Sequence, residues 1–119
     1  MHNGKRIRLT PFDMQAIEKA IYYITEHFRA NISADHVALE VNLPKEKLQA
    51  GIRKKTTLTL HEYIVHIRIN KSKELLINTD YPLKTIAKSI GFADKSYYCK
   101  VFRKLEGTSP TAFRLRQVV

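Results

Sequence analysis

The chain has 119 residues, room for one compact domain or two very small ones. Apolar residues make up 44%, enough for a core and too many for a disordered chain. Lysine and arginine number 21 against 11 aspartate and glutamate, and the resulting net charge of +10 points to a polyanion, nucleic acid before an anionic membrane surface. No apolar run is long enough to span a bilayer, and Met1 to Pro11 lacks the apolar stretch of a signal peptide. The single cysteine, Cys99, excludes a disulfide within the chain, which allows a reducing compartment.

Met1 to Leu9 is polar and basic and reads as a loose arm. Thr10-Pro11-Phe12-Asp13 is a helix start: Thr10 caps, Pro11 needs no N–H in the first turn, and Asp13 lies at the favourable end of the dipole. Ile17, Ile21, Ile24 and Phe28 follow at helical spacing and carry this helix to about Arg29. Asn31-Ile32-Ser33 caps a short helix over about Ala34 to Val41, with Val37, Ala38 and Val41 inward. Asn42 suits the left-handed turn that follows, and Leu43 plugs it. Pro44 opens a helix through about Lys55, with Leu48 and Ile52 buried.

Thr59-Leu60-His61-Glu62 is a capping box. It opens the longest helix, about Leu60 to Ile77, whose apolar positions are Tyr63, Ile64, Ile67, Leu75 and Leu76. After Asn78 to Pro82, Ile86, Ala87 and Ile90 mark another helix face, ended by Gly91 with Phe92 as plug. Asp94 caps a helix over about Lys95 to Glu106, with Tyr98, Val101, Phe102 and Leu105 on its buried face. Gly107 stops it and Ser109-Pro110 restarts the helical pattern. No useful strand alternation occurs, so the expected fold is all-α with about seven helices.

The two halves resemble each other. Val37, Ala38, Val41, Asn42 and Leu43 match Ile86, Ala87, Ile90, Gly91 and Phe92. Leu48, Ile52, Arg53, Lys54, Thr59 and Tyr63 match Tyr98, Phe102, Arg103, Lys104, Ser109 and Phe113. Each half is a helix, a tight turn and a second, basic helix, the helix-turn-helix pattern. The expected organisation is a flexible arm over residues 1–10, a first helix-turn-helix subdomain over 11–59, a linker helix over 60–78 and a second subdomain over 79–119. A linker helix of about 27 Å, at roughly 1.5 Å per residue, is commensurate with the ~34 Å between successive major-groove faces. One chain would then reach two adjacent grooves, and its site need not be a palindrome.

These residues give the chain a resemblance to the DNA-binding domain of the AraC/XylS family of bacterial transcription regulators. The second unit carries the signature: IA, three residues, GF, one residue, D, one residue, SY, then FRK, G, SP and FR. The stretch YIVHIRINKSKELL resembles the family's linker helix, with Arg68 at its expected arginine. The resemblance implies a bipartite fold with recognition helices at Lys45 to Lys55 and Lys95 to Leu105. By the same carry-over, Lys45, Glu46, Gln49, Ala50, Arg53 and Lys54 face DNA in the first unit. Lys95, Ser96, Tyr97, Cys99, Lys100, Arg103 and Lys104 do so in the second. Gln49 suits adenine, Lys100 guanine and Glu46 the amino group of cytosine, while Arg53, Lys54, Arg103 and Lys104 suit phosphates. The first unit departs from the family: Ile52 stands for its phenylalanine, Thr57 for its glycine and Ala50 for a common basic position. Weak or apolar base reading is therefore expected there, Ala50 lying against a thymine methyl.

The reading is a sequence-specific regulator of transcription bound to double-stranded DNA, expected to activate and to touch RNA polymerase. It needs no cofactor, contacts no membrane, and acts in the bacterial cytoplasm as a monomer on DNA, or as a dimer within a longer protein. The chain reads either as a free-standing short regulator or as the excised C-terminal domain of a longer one, the abrupt basic start tilting toward excision. His27, His36, His61 and His66 have no metal-ligand spacing, and no phosphate loop or nucleophile motif suggests an enzyme. The alternative is a helical protein–protein adaptor whose charge is incidental.

Overall fold

The computed structural model describes residues 6–117. They form seven helices with no strand among the described residues: α1 (Pro11–His27), α2 (Ala34–Val41), α3 (Lys45–Thr56), α4 (Leu60–Asn78), α5 (Leu83–Ser89), α6 (Lys95–Glu106) and α7 (Pro110–Arg116). No described helix is long and apolar enough to cross a membrane. Residues 1–5 of the arm read as flexible lie outside the described residues.

The helices form two compact units. The first takes the chain up to His27 together with Ile32–Ile64, and the second takes Phe28–Asn31 and the chain from Val65 onward. The residues of α4 are therefore divided, Leu60 to Ile64 serving the first unit and Val65 to Asn78 the second.

In the first unit α1, α2 and α3 pack on one another around Ile17, Ile24, Val37, Leu48 and Ile52, all fully buried. Gly51 lets α3 lie close against α1, because a Cβ there would run into the Ile17 side chain. The start of α1 is a reciprocal box: Thr10 N–H donates to the Asp13 carboxylate at 2.9 Å, and Asp13 N–H donates to Thr10 Oγ1 at 3.1 Å. Lys47 Nζ reaches the same carboxylate at 2.9 Å. The Thr10 N–H and then Lys47 hold the Asp13 carboxyl below the usual carboxylate range. Ser33 caps α2 by accepting from His36 N–H, and Asn42 ends it in the left-handed region at φ 61°. The box at α4 forms as the sequence predicts, with Thr59 and Glu62 exchanging backbone-to-side-chain bonds.

The second unit has an aromatic core. Phe92, Tyr98 and Phe102 are buried with Ile69, Leu76, Ile86, Ala87 and Ile90. Phe102 meets Tyr98 and Phe113 edge-on, with centroids 5.9 and 5.6 Å away, the arrangement that aligns positive ring edges with negative faces. Two arginines tie separate segments into this unit. Arg68 donates to the carbonyls of Phe28 (2.8 Å) and Ala30 (3.0 Å), and burial pushes its guanidinium below its ordinary value. Arg114 donates to the carbonyls of Leu76 and Thr79, each at 3.1 Å, satisfying acceptors around the end of α4. Gly91, at φ 100°, is doubly constrained: a Cβ would stand 2.8 Å from the Arg29 carbonyl oxygen and 3.0 Å from the Arg68 guanidinium.

Three expectations need correction. The first helix ends at His27, and Phe28 is buried in the second unit rather than continuing the stripe of Ile17 and Ile24, because Arg68 holds its carbonyl there. Leu105, expected on the inner face of α6, is 36% exposed. On α4 the expected Tyr63, Ile67 and Leu75 are only half-buried, while Ile69 and Ser72 are fully enclosed. The physical reason is that α4 contributes to two cores, so no single stripe runs its length.

Candidate nucleic-acid interface

The second helix of each unit turns one face inward. On α3 that face is Leu48, Gly51 and Ile52; on α6 it is Tyr98 and Phe102. The opposite faces occupy equivalent helical positions. Glu46, Gln49, Ala50 and Arg53 on α3 correspond, 50 residues on, to Ser96, Cys99, Lys100 and Arg103 on α6. Spacing of i, i+3, i+4 and i+7 puts each quartet on one face. Glu46, Gln49, Arg53, Ser96, Lys100 and Arg103 are exposed, whereas Ala50 and Cys99 are half-buried at the edge of their faces. Lys45, Lys54, Lys95, Tyr97 and Lys104 are exposed beside them. Tyr97 leans edge-on against Phe92, with centroids 5.7 Å apart, so its ring is held at the start of α6.

The local causes of these faces differ. Asp94 caps α6 by accepting from Tyr97 N–H at 2.8 Å, as its sequence position predicts. Pro44 stands at the α3 cap without a side-chain hydrogen bond. Both helices end on a left-handed residue, Gly107 at φ 78° and Thr57 at φ 63°. The last turns are basic, Arg53, Lys54 and Lys55 on α3 and Arg103 and Lys104 on α6, which also suits the negative end of each helix dipole.

Charge separates the two faces further. Three α3 lysines are engaged within their own unit: Lys45 with Asp35 at 3.5 Å, Lys47 with Asp13 at 2.9 Å and Lys55 with Glu18 at 3.4 Å. Among the described residues, Lys95, Lys100, Arg103 and Lys104 of α6 have no acidic partner. A cavity of about 750 Å³ adjoins the α3 face and is lined by Gln49, Ala50 and Arg53 together with Ser33 and Thr59, the caps of α2 and α4. Two helix starts beside an arginine suit an anionic oxygen. No group of His, Cys, Asp and Glu fit to hold a metal occurs among the described residues.

Sequence reasoning left out the arm. Arg6, Ile7 and Arg8 lie beside the start of α3, where Arg6, Arg8, Glu46 and Lys47 share the lining of a second cavity of about 360 Å³.

Two helix-turn-helix units with basic outward faces define a nucleic-acid-binding domain, and comparison with known proteins agrees. The helix-turn-helix domain family model matches residues 37–116. The arabinose operon regulatory protein of Escherichia coli strain K12 is 31% identical over 99 residues, 82% of this chain and 34% of that protein. The C-terminal domain of AraT, a response regulator from Geobacillus stearothermophilus, has 27% identity and a TM-score of 0.82, over 95% of this chain and 91% of that one. The DNA-binding domain of the global transcriptional factor AdpA, solved with a target DNA, shares the fold at 20% identity and a TM-score of 0.80, over 85% and 91% of the two chains. The chain belongs to the AraC family of helix-turn-helix transcription regulators, a family of DNA-binding regulators rather than enzymes. It spans about a third of the length of the curated relatives it matches. Nothing in these comparisons supports the adaptor alternative.

Proposed function

We propose that this chain binds double-stranded DNA sequence-specifically, with α3 and α6 entering successive major grooves, and so regulates transcription. The observation that carries the reading is the pair of equivalent outward quartets on α3 and α6. Lys100 donates to guanine and Gln49 pairs with adenine; Glu46 accepts from cytosine, and Ala50 offers a methyl to thymine. Ser96, Tyr97 and Cys99 complete the second face as short or planar contacts. Lys45, Arg53, Lys54, Lys95, Arg103 and Lys104 hold phosphates and set the register. The organisation proposed from the sequence, two reading subdomains with a linker helix over residues 60–78, follows the same logic.

The reading assigns the chain no catalysis and no cofactor. It has one copy occupy a non-palindromic site in the bacterial cytoplasm, and any longer protein containing it act as an activator touching RNA polymerase, with dimerisation left to the remainder of that protein. Selection of binding sites from a random duplex library at two salt concentrations tests it. An asymmetric motif of two blocks about one helical turn apart is expected. Salt-sensitive binding without any motif would remove sequence specificity, and no binding would remove the function.

A further inference from the structure

We propose that the arm residues Arg6 and Arg8 are a third nucleic-acid-contacting element, holding backbone phosphates of the duplex beside α3. The inference rests on the reading that α3 faces DNA. Three observations carry it. Arg6 and Arg8 share one depression with Glu46 and Lys47, so the arm passes the start of α3 instead of projecting away from it. Ile7 lines both that depression and the larger cavity formed with Gln49, Ala50 and Arg53, which places the arm along the proposed reading face. Both arginines are exposed, and neither has an acidic partner among the described residues, whereas Lys45, Lys47 and Lys55 of α3 are each held by one.

The first unit thus keeps only Arg53 and Lys54 unengaged on its outward helix and has two further unengaged guanidiniums beside it. Guanidinium matches phosphate geometry with two parallel N–H groups, and charge-assisted bonds of this kind are strong. The opposite possibility is that the arm covers α3 and opposes DNA. The contacts decide between them. Ile7 remains 39% exposed, and among the described residues no hydrogen bond or ion pair fastens Arg6, Ile7 or Arg8, so little is lost when the arm shifts to meet a duplex.

The test is fluorescence anisotropy on one selected duplex across a salt series, with the chain as it stands, Arg6→Ala, Arg8→Ala, the double variant and Lys19→Ala. Lys19 is an exposed cation on α1 that lines neither of the arm's two cavities and serves as the control for net charge. Each phosphate contact contributes about 0.9 to the slope of log affinity against log salt. The expected result is a slope shallower by about 0.9 for each arm variant and about 1.8 for the double, with an unchanged slope for Lys19→Ala. The double variant should bind about 10-fold or more weakly at physiological salt. An unchanged slope in the double variant, tighter binding by it, or an equal effect of Lys19→Ala would overturn the proposal. Failure of the unaltered chain to bind in a salt-dependent way would instead overturn the DNA reading beneath it.

Discussion

The two helix-turn-helix units use one plan with different materials. The first has an aliphatic core, an uncapped α3, a threonine at its left-handed helix end, and three of the four α3 lysines engaged by its own acids. The second has an aromatic core, an α6 capped by Asp94, a glycine at the same helix end, and unengaged basic side chains facing outward. A unit can keep the turn geometry that presents a helix while losing much of the charge that makes the helix useful against phosphate. On the proposed reading, this difference would give the second unit the greater share of binding energy and leave the first to supply register and a weaker block of contacts.

The turn glycine gives the largest effect on stability. Gly91→Ala meets both a left-handed backbone and the Arg29 carbonyl, and should destabilise the second unit by about 3 kcal/mol in urea unfolding. The equivalent Asn42→Ala, where only the backbone conformation opposes the change, should cost about 1 kcal/mol. Equal losses would mean that the Arg29 and Arg68 contacts do not distinguish the turns.

The outward faces come next. Lys100→Ala should weaken binding to the selected duplex about 30-fold, and Gln49→Ala only a few-fold, since a well-placed base contact carries ~1–3 kcal/mol. Calorimetric titration at fixed salt measures both, and the reverse order would invert the assignment of the stronger unit. A smaller change sharpens the comparison at the helix ends. Thr57→Gly should stabilise the chain by about 1 kcal/mol and Gly107→Thr should remove a similar amount, because a β-branched residue is strained at positive φ.

The smallest effect lies in the aromatic core. The Tyr98 hydroxyl is buried without a hydrogen-bond partner among the described residues, although Ser72 is near enough to moderate its acidity. Burial pushes its pKa up to about 12. Tyr98→Phe should therefore raise stability at neutral pH by a few tenths to about 1 kcal/mol. The pH dependence has a definite sign. Above pH ~10 the unfolded chain gives up this proton first, binds fewer protons than the folded chain, and becomes relatively more stable. The native chain should thus lose stability between about pH 10 and 12 through Tyr98, and the difference from Tyr98→Phe should widen over that range.

Most of the fold was legible because its punctuation is local. Ser33, Asn42, Thr59, Asp94 and Gly107 act through bonds or dihedrals spanning a few residues, and a pattern of that length can be read directly. Phe28 was misassigned because its place depends on Arg68, 40 positions away. The α4 pattern misled for a related reason, since one helix answers to two cores and periodicity alone cannot say where one ends. The outward faces of α3 and α6 were legible once the repeat was aligned. Which lysines were neutralised was not, because Asp13, Glu18 and Asp35 approach them from other helices.

The most direct measurement is to repeat the random-library selection with Lys100→Ala and, separately, with Gln49→Ala. If α6 and α3 read separate grooves with α6 dominant, Lys100→Ala erases the stronger block, and Gln49→Ala relaxes one position in the weaker block only. If both variants alter the same block, or both return the unchanged motif, the division of reading between the two units is wrong.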